Sequence, residues 1–282
     1  DVTTNGYGYN NPLGFNPYFE RLLPSTQPGA LISYLQYVQE RVATLKPTFF
    51  TNWLGNNDVL SYATAGGADP SRTLTPVADF TTKYKQVLDV LTAGGAKGLV
   101  ATIPNVTNVP LFTTVKASAI KVLIRSNPAL PNAAAASFYI RTGTGAVREA
   151  TDADYVLLTA QAVIGTGATQ ANPLPIGVGY SPALANPNEL NSVIRAEATA
   201  RGLALFDANT YFQGVASAGY TYNAVSNSAS FITGNLFSLD GVHPTPRGYA
   251  LVANEMIKAI NAQYGSSIQQ VNPTNYRGIL LP

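Results

Sequence analysis

The 282-residue sequence is 46% hydrophobic and only 11% charged, with a formal net charge of +2 and one histidine. That near-neutral balance, without a Lys/Arg run, excludes the basic footprint of a nucleic-acid-binding protein. The absence of cysteine excludes disulfides, thiolate metal sites and a cysteine nucleophile, and no run of 18 apolar residues is present to span a membrane as a helix.

Residues 1–28 are rich in Gly, Asn, Pro and Tyr and read as ordered loop. Leu31, Leu35, Val38, Val42 and Leu45 then recur at steps of four and three, the spacing of an amphipathic helix, which Pro47 stops. Residues 48–54 form a short aromatic and β-branched run, predicted as a buried strand ending at Gly55-Asn56-Asn57-Asp58. Thr75-Pro76 predicts a cap with proline at the first helical position, followed by one apolar face through Val77, Phe80, Tyr84, Val87, Leu88 and Leu91. Lys97 to Ile103 is the next strand. Alternating helix and strand predict an α/β fold with a parallel sheet.

Residues 104–185 break the alternation. Pro104 to Pro110 is a loop leaving a strand end, and Val106, Val109 and Phe112 are candidate pocket lining or core. Ala133 to Gly145 and Gly165 to Gly179 show no clean period, and Asp154 to Ile164 reads as a helix. The region is expected to be an insertion or cap within a single domain spanning 1–282. Asn188 to Arg201 is a helix, Leu203 to Phe206 a strand, and 214–236 a polar hairpin or long loop. Thr245-Pro246 caps the last helix, with Tyr249, Val252, Ala253, Met256, Ile257, Ile260 and Tyr264 on one face and Gly265 closing it; an extended tail is expected to pack back on the body.

Two short stretches carry chemistry. Asp240-Gly241-Val242-His243 precedes the last helix and holds the sole histidine. A carboxylate three residues earlier can fold back within a turn, accept a hydrogen bond from one ring nitrogen and leave the other free to take a proton. The alternative is a turn aspartate beside a loop histidine. Gly55-Asn56-Asn57-Asp58 follows a strand at the carboxyl edge, where open α/β sheets place their sites. An asparagine amide there can donate to an oxyanion, although Gly/Asn-rich turns after strands are common.

Gly-x-Asn-Asp in the first half and Asp-x-x-His-Pro-Thr before the last helix, continued by Arg247-Gly248-Tyr249 and an alanine-rich helix, resemble the third and fifth sequence blocks of the SGNH (GDSL-type) hydrolases, in particular a bacterial subgroup with long insertions. The resemblance implies a flavodoxin-like three-layer α/β/α fold. It implies hydrolysis of carboxylic esters through an acyl-enzyme, without metal or cofactor, the family's substrates ranging over lipids, acylated carbohydrates and simple esters. Asn57 becomes the oxyanion donor, His243 the general base and acid, and Asp240 its orienting partner. Gly55 and Asp58 become supports of the third block. With the low charge, the subgroup predicts an exported protein: periplasmic, outer-membrane-associated or extracellular.

The family's serine block and its second oxyanion block do not occur. No Gly-Asp-Ser or Gly-Asn-Ser is present, and Ser181, after Gly179-Tyr180, is the nearest substitute. In a flavodoxin-like order the first strand is interior, so its omission leaves backbone unpaired. The expectation is therefore that the chain is a processed piece. The first strand and its serine are then supplied by a bound N-terminal fragment or a neighbouring subunit. The competing reading is a surface or assembly protein, without a nucleophile, built on a hydrolase fold. A carbohydrate- or lipid-binding module reusing the cleft is a third.

Overall fold

The computed structural model describes residues 32–67, 72–128, 137–141, 145–160, 179–180 and 187–279. The predicted loop at 1–28, the stretch 165–178 and Ser181 lie outside them. In chain order the elements are α1 (Tyr34–Leu45), β1 (Phe49–Asn52), α2 (Asn56–Thr64), α3 (Val77–Thr92), β2 (Lys97–Ala101), α4 (Pro110–Thr113), α5 (Ala117–Arg125), β3 (Tyr139–Arg141) and β4 (Val147–Glu149). Then come β5 (Tyr155–Val156), β6 (Gly179–Tyr180), α6 (Asn188–Ala200), β7 (Ala204–Phe206), α7 (Ala208–Ala218), β8 (Tyr220–Tyr222), β9 (Val225–Asn227) and α8 (Pro246–Tyr264).

The centre is a parallel sheet in the order β1-β2-β7, with Phe49 opposite Lys97 and Leu99 opposite Ala204. In β2 and β7, Leu99, Val100, Ala101 and Ala204 are fully buried, as helices on both faces require. By contrast β1 alternates, with Phe49 and Thr51 exposed, and is not the buried strand expected over 48–54, because it lies at the edge of the described sheet. On one side α6 packs on β2 and β7, with α3 and then α1 beside it. On the other lies α8, whose Tyr264 ring meets Phe49 edge-on at 6.0 Å. The Tyr264 hydroxyl donates to the Gly98 carbonyl at 2.8 Å, which satisfies backbone where β7 does not reach. This is the expected three-layer α/β/α arrangement. Among the described residues the outer edge of β1 has no strand beside it.

Where β2 ends, a side chain continues the pairing. Asn191 of α6, 4% exposed, accepts from Ile103 N–H at 2.7 Å and donates to Ile103 C=O at 2.9 Å. An asparagine amide presents the same donor and acceptor as a neighbouring strand. Asn191→Leu strands a buried N–H, and a loss of about 1–3 kcal/mol of stability is expected in denaturant unfolding.

Residues 115–160 gather a second, smaller apolar cluster around Phe138, Ile120, Ile124 and Val156. Asp154 locks it: Arg148 donates to both carboxylate oxygens, and Thr151 adds its N–H and hydroxyl. Burial works against ionisation here, but the Arg148 and Thr151 bonds outweigh it and hold the carboxyl below the usual range. A depressed native pKa gives stability that is present above the unfolded value near 3.9 and lost as pH falls through the native value. Asp154→Asn is expected to unfold about 1–3 kcal/mol more easily than wild type at pH 7, toward the low end because Arg148 is part-exposed. The gap should close as urea titrations are moved below pH 4.

Several boundaries differ from expectation. The predicted helix over Asp154 to Ile164 is strand β5 followed by a single 3-10 turn at Leu158–Ala160, with 161–164 outside the described residues. The Asp154 carboxylate is spent on Arg148 and Thr151 rather than on a helix start, and β5 pairs with β6. The loop expected at 214–236 begins with the last turns of α7, whose Thr210 N–H is capped by the Asp207 carboxylate, before the β8–β9 hairpin. Pro76 occupies the cap of α3 itself rather than its first turn. Gly55 to Asp58 is not a simple turn, because α2 starts there. The tail does pack back: Asn254 of α8 accepts from Val271 N–H at 2.8 Å and donates to Val271 C=O at 2.9 Å.

Candidate active site

The chain leaves β1 through Asn52, whose side-chain oxygen accepts from Leu54 N–H at 3.1 Å and turns the backbone. Trp53 then lies across the end of the sheet, donating its indole N–H to Thr102 C=O at 3.0 Å, with its ring 6.0 Å from that of Phe206. Gly55 follows at φ +110°, where a Cβ would come within 2.7 Å of the Ile103 side chain. Only glycine fits this sharp entry into α2. Asn56, Asn57 and Asp58 therefore form the first turn of a helix at the carboxyl edge of the sheet. Its leading N–H groups favour negative charge nearby.

The second stretch is a closed turn. Phe237 and Pro244 form an antiparallel bridge, and Ser238 N–H donates to His243 C=O at 2.7 Å. Gly241, at φ +72°, donates to Ser238 C=O at 3.0 Å, and its own C=O accepts from Leu111 N–H at 2.9 Å. This docks the turn on α4. Thr245 caps α8 by accepting from Gly248 N–H at 3.1 Å.

Inside the turn Asp240 collects donors. One carboxylate oxygen accepts from Ser238 Oγ at 2.7 Å, Val242 N at 2.8 Å and His243 N at 2.9 Å. The other lies 2.6 Å from His243 Nδ1. Partial burial works to raise the Asp240 pKa. The Val242 N–H, the Ser238 hydroxyl and the His243 ring and N–H more than reverse it, so the carboxyl is held well below the usual carboxylate range. An ionised Asp240 makes Nδ1 the protonated nitrogen, which leaves Nε2 with its lone pair.

The two stretches meet across one cleft of about 210 Å³, lined by Asn57 from α2 and by His243 from the turn. The Asn57 side chain is exposed and has no hydrogen-bond partner among the described residues, whereas Asn56 donates to Trp53 C=O at 3.3 Å. Gly55 and Asp58 do not reach this cleft. They border a separate hollow with Phe80, Lys83 and Tyr84, and Asp58 contributes as an acidic residue in the first turn of α2. Val106 and Val109 line the cleft, while Phe112 is fully buried in the core. Sequence reasoning missed Trp53, Phe212, Phe237 and Ser238, and it assigned Tyr249 to the packed face of α8. Tyr249 is 47% exposed and borders the cleft. Burial, with the Asp240 charge in addition, pushes its phenol above the ordinary value, so it stays protonated. The signal was available for Ser238, whose hydroxyl two residues before an aspartate is a common local acceptor–donor pair.

A parallel sheet between helix layers, with its cleft at the carboxyl ends of the strands, defines an open α/β protein. Residues 19–256 match the family described as GDSL-like Lipase/Acylhydrolase, and the chain belongs to that family of ester-directed hydrolases. No curated protein matches it.

Proposed function

We propose that the protein is a serine hydrolase of carboxylic esters, with His243 as general base and acid, Asp240 as its orienting carboxylate and Asn57 as an oxyanion donor. The observation that carries this is the 2.6 Å contact between His243 Nδ1 and Asp240, on a ring that is 67% exposed in the same cleft as Asn57. In the forward step the serine oxygen attacks the ester carbonyl while Nε2 takes its proton. Asn57 donates to the developing oxyanion, and the imidazolium returns the proton to the leaving alcohol. Water, activated by the same nitrogen, then releases the acid.

The serine belongs to a segment outside the described residues, since no serine lines the cleft among them. The outer edge of β1, with no strand beside it among the described residues, supports its delivery by an added strand, from an N-terminal piece or a neighbouring molecule. So does Asn52 Nδ2 on that strand, buried without a partner among the described residues. Export to the periplasm, outer membrane or exterior belongs to the same reading.

Labelling the native protein with a fluorophosphonate probe, followed by peptide mapping, tests it. One labelled serine is expected, with labelling abolished in His243→Ala. Absence of label and of ester turnover in the intact native protein would overturn the reading in favour of a non-catalytic assembly protein.

A further inference from the structure

The cleft beside His243 divides by chemistry. Its polar lining groups Asn57, His243 and Tyr249 are exposed and so rim the mouth. Val106, Val109, Phe212 and Phe237 are each under 9% exposed and form the interior, with Leu60 beside them. Asn56, the remaining amide, is bonded to Trp53 C=O. Among the described residues no carboxylate, ammonium or guanidinium lines the cleft, and the Tyr249 phenol is the one hydroxyl that does. A sugar or other polar moiety placed inside would lose water without replacement hydrogen bonds, whereas a hydrocarbon chain would not.

Size narrows the occupant. An apolar protein cavity of about 150 Å³ holds one benzene molecule, six carbons. The present cleft offers about 210 Å³. We infer that the interior is the acyl site of the ester and that a medium-length saturated chain of about six to eight carbons fills it, in preference to acetyl. The inference rests on the ester-hydrolase reading and names the acid half of the substrate.

Hydrolysis of a p-nitrophenyl ester series from acetyl to palmitoyl is the direct test. Successive methylenes should raise kcat/KM about two- to fourfold each up to six to eight carbons, with no gain beyond. Leu60→Trp, which intrudes on the interior, should move the peak to shorter chains. A maximum at acetyl, or a peak that Leu60→Trp leaves in place, overturns the acyl site. Calorimetric titration of wild-type protein with octanoate and with acetate needs no turnover, and octanoate should bind at least tenfold tighter. Octanoate binding in a protein that cleaves no ester keeps the apolar site and overturns the hydrolase reading. Ester cleavage without octanoate preference overturns the acyl site alone.

Discussion

Replacing Asp240 by Asn is expected to lower ester turnover by about 10³- to 10⁴-fold with little change in the folding transition. The asparagine carbonyl oxygen can keep the three bonds from Ser238, Val242 and His243 N–H that organise the turn. What changes is the group facing the ring, where a carboxylate oxygen becomes an N–H₂ donor. Nδ1 must then act as acceptor, its proton moves to Nε2, and the nitrogen facing the cleft can no longer take one. Because His243 is the sole histidine in 282 residues, ¹⁵N shifts of the imidazole report its tautomer without assignment. The variant should show the exchanged tautomer together with the lost rate. His243→Ala should lose at least as much. Wild-type turnover in either variant would remove the pair from the mechanism.

Asn57→Ala should lower kcat by about 10²- to 10³-fold, equivalent to about 2.7–4 kcal/mol of barrier, with KM nearly unchanged. The split follows from where the amide acts. It has no partner to lose among the described residues, so neither stability nor ground-state binding is expected to depend on it. Its bond forms when the carbonyl oxygen acquires charge, beside the N-terminus of α2, which supports negative charge. Asn56→Ala provides the contrast: its amide is tied to Trp53 C=O, so it should alter folding stability more than kcat. If Asn57→Ala raised KM and spared kcat, the residue would be a binding contact and not an oxyanion donor.

The sequence disclosed the periodic parts of the fold. The α3 face through Phe80, Tyr84, Val87 and Leu88 is buried as its spacing predicts, and the apolar runs of β1, β2 and β7 pair as a parallel sheet. It disclosed Asp240, His243 and Asn57 because short, chemically specific spacings do not depend on the rest of the chain. The failures lie where side chains replace backbone. Asn191 and Asn254 are buried, each holding a peptide unit as a strand would. Sequence period gives no hint of that, since the partner lies far along the chain. α2 and α7 went unread for a related reason. Asn56, Asn57, Asn209, Thr210 and Gly214 are weak helix formers, and tertiary packing of Val59, Ala63, Phe212 and Val215 decides the matter. The i, i+4 spacing of Val59 and Ala63, and Asp207 ahead of Ala208 and Phe212, were the legible traces. Tyr249 kept the helical period but sits at the α8 end that opens on the cleft, where period no longer implies burial.

The turn around Asp240 has a consequence for redesign. Among the described residues every donor to that carboxylate comes from residues 238 to 243, and the turn closes on itself through the Ser238–His243 and Phe237–Pro244 pairings. Its sole described backbone tether outside the Leu236–Thr245 stretch and its flanks is the Gly241–Leu111 bond. The acid–base pair is thus a transplantable cassette. A graft of residues 235–248 onto another scaffold must reproduce the antiparallel entry and exit, the Thr245 bonds to Asn235 and Gly248, and one N–H for the Gly241 carbonyl.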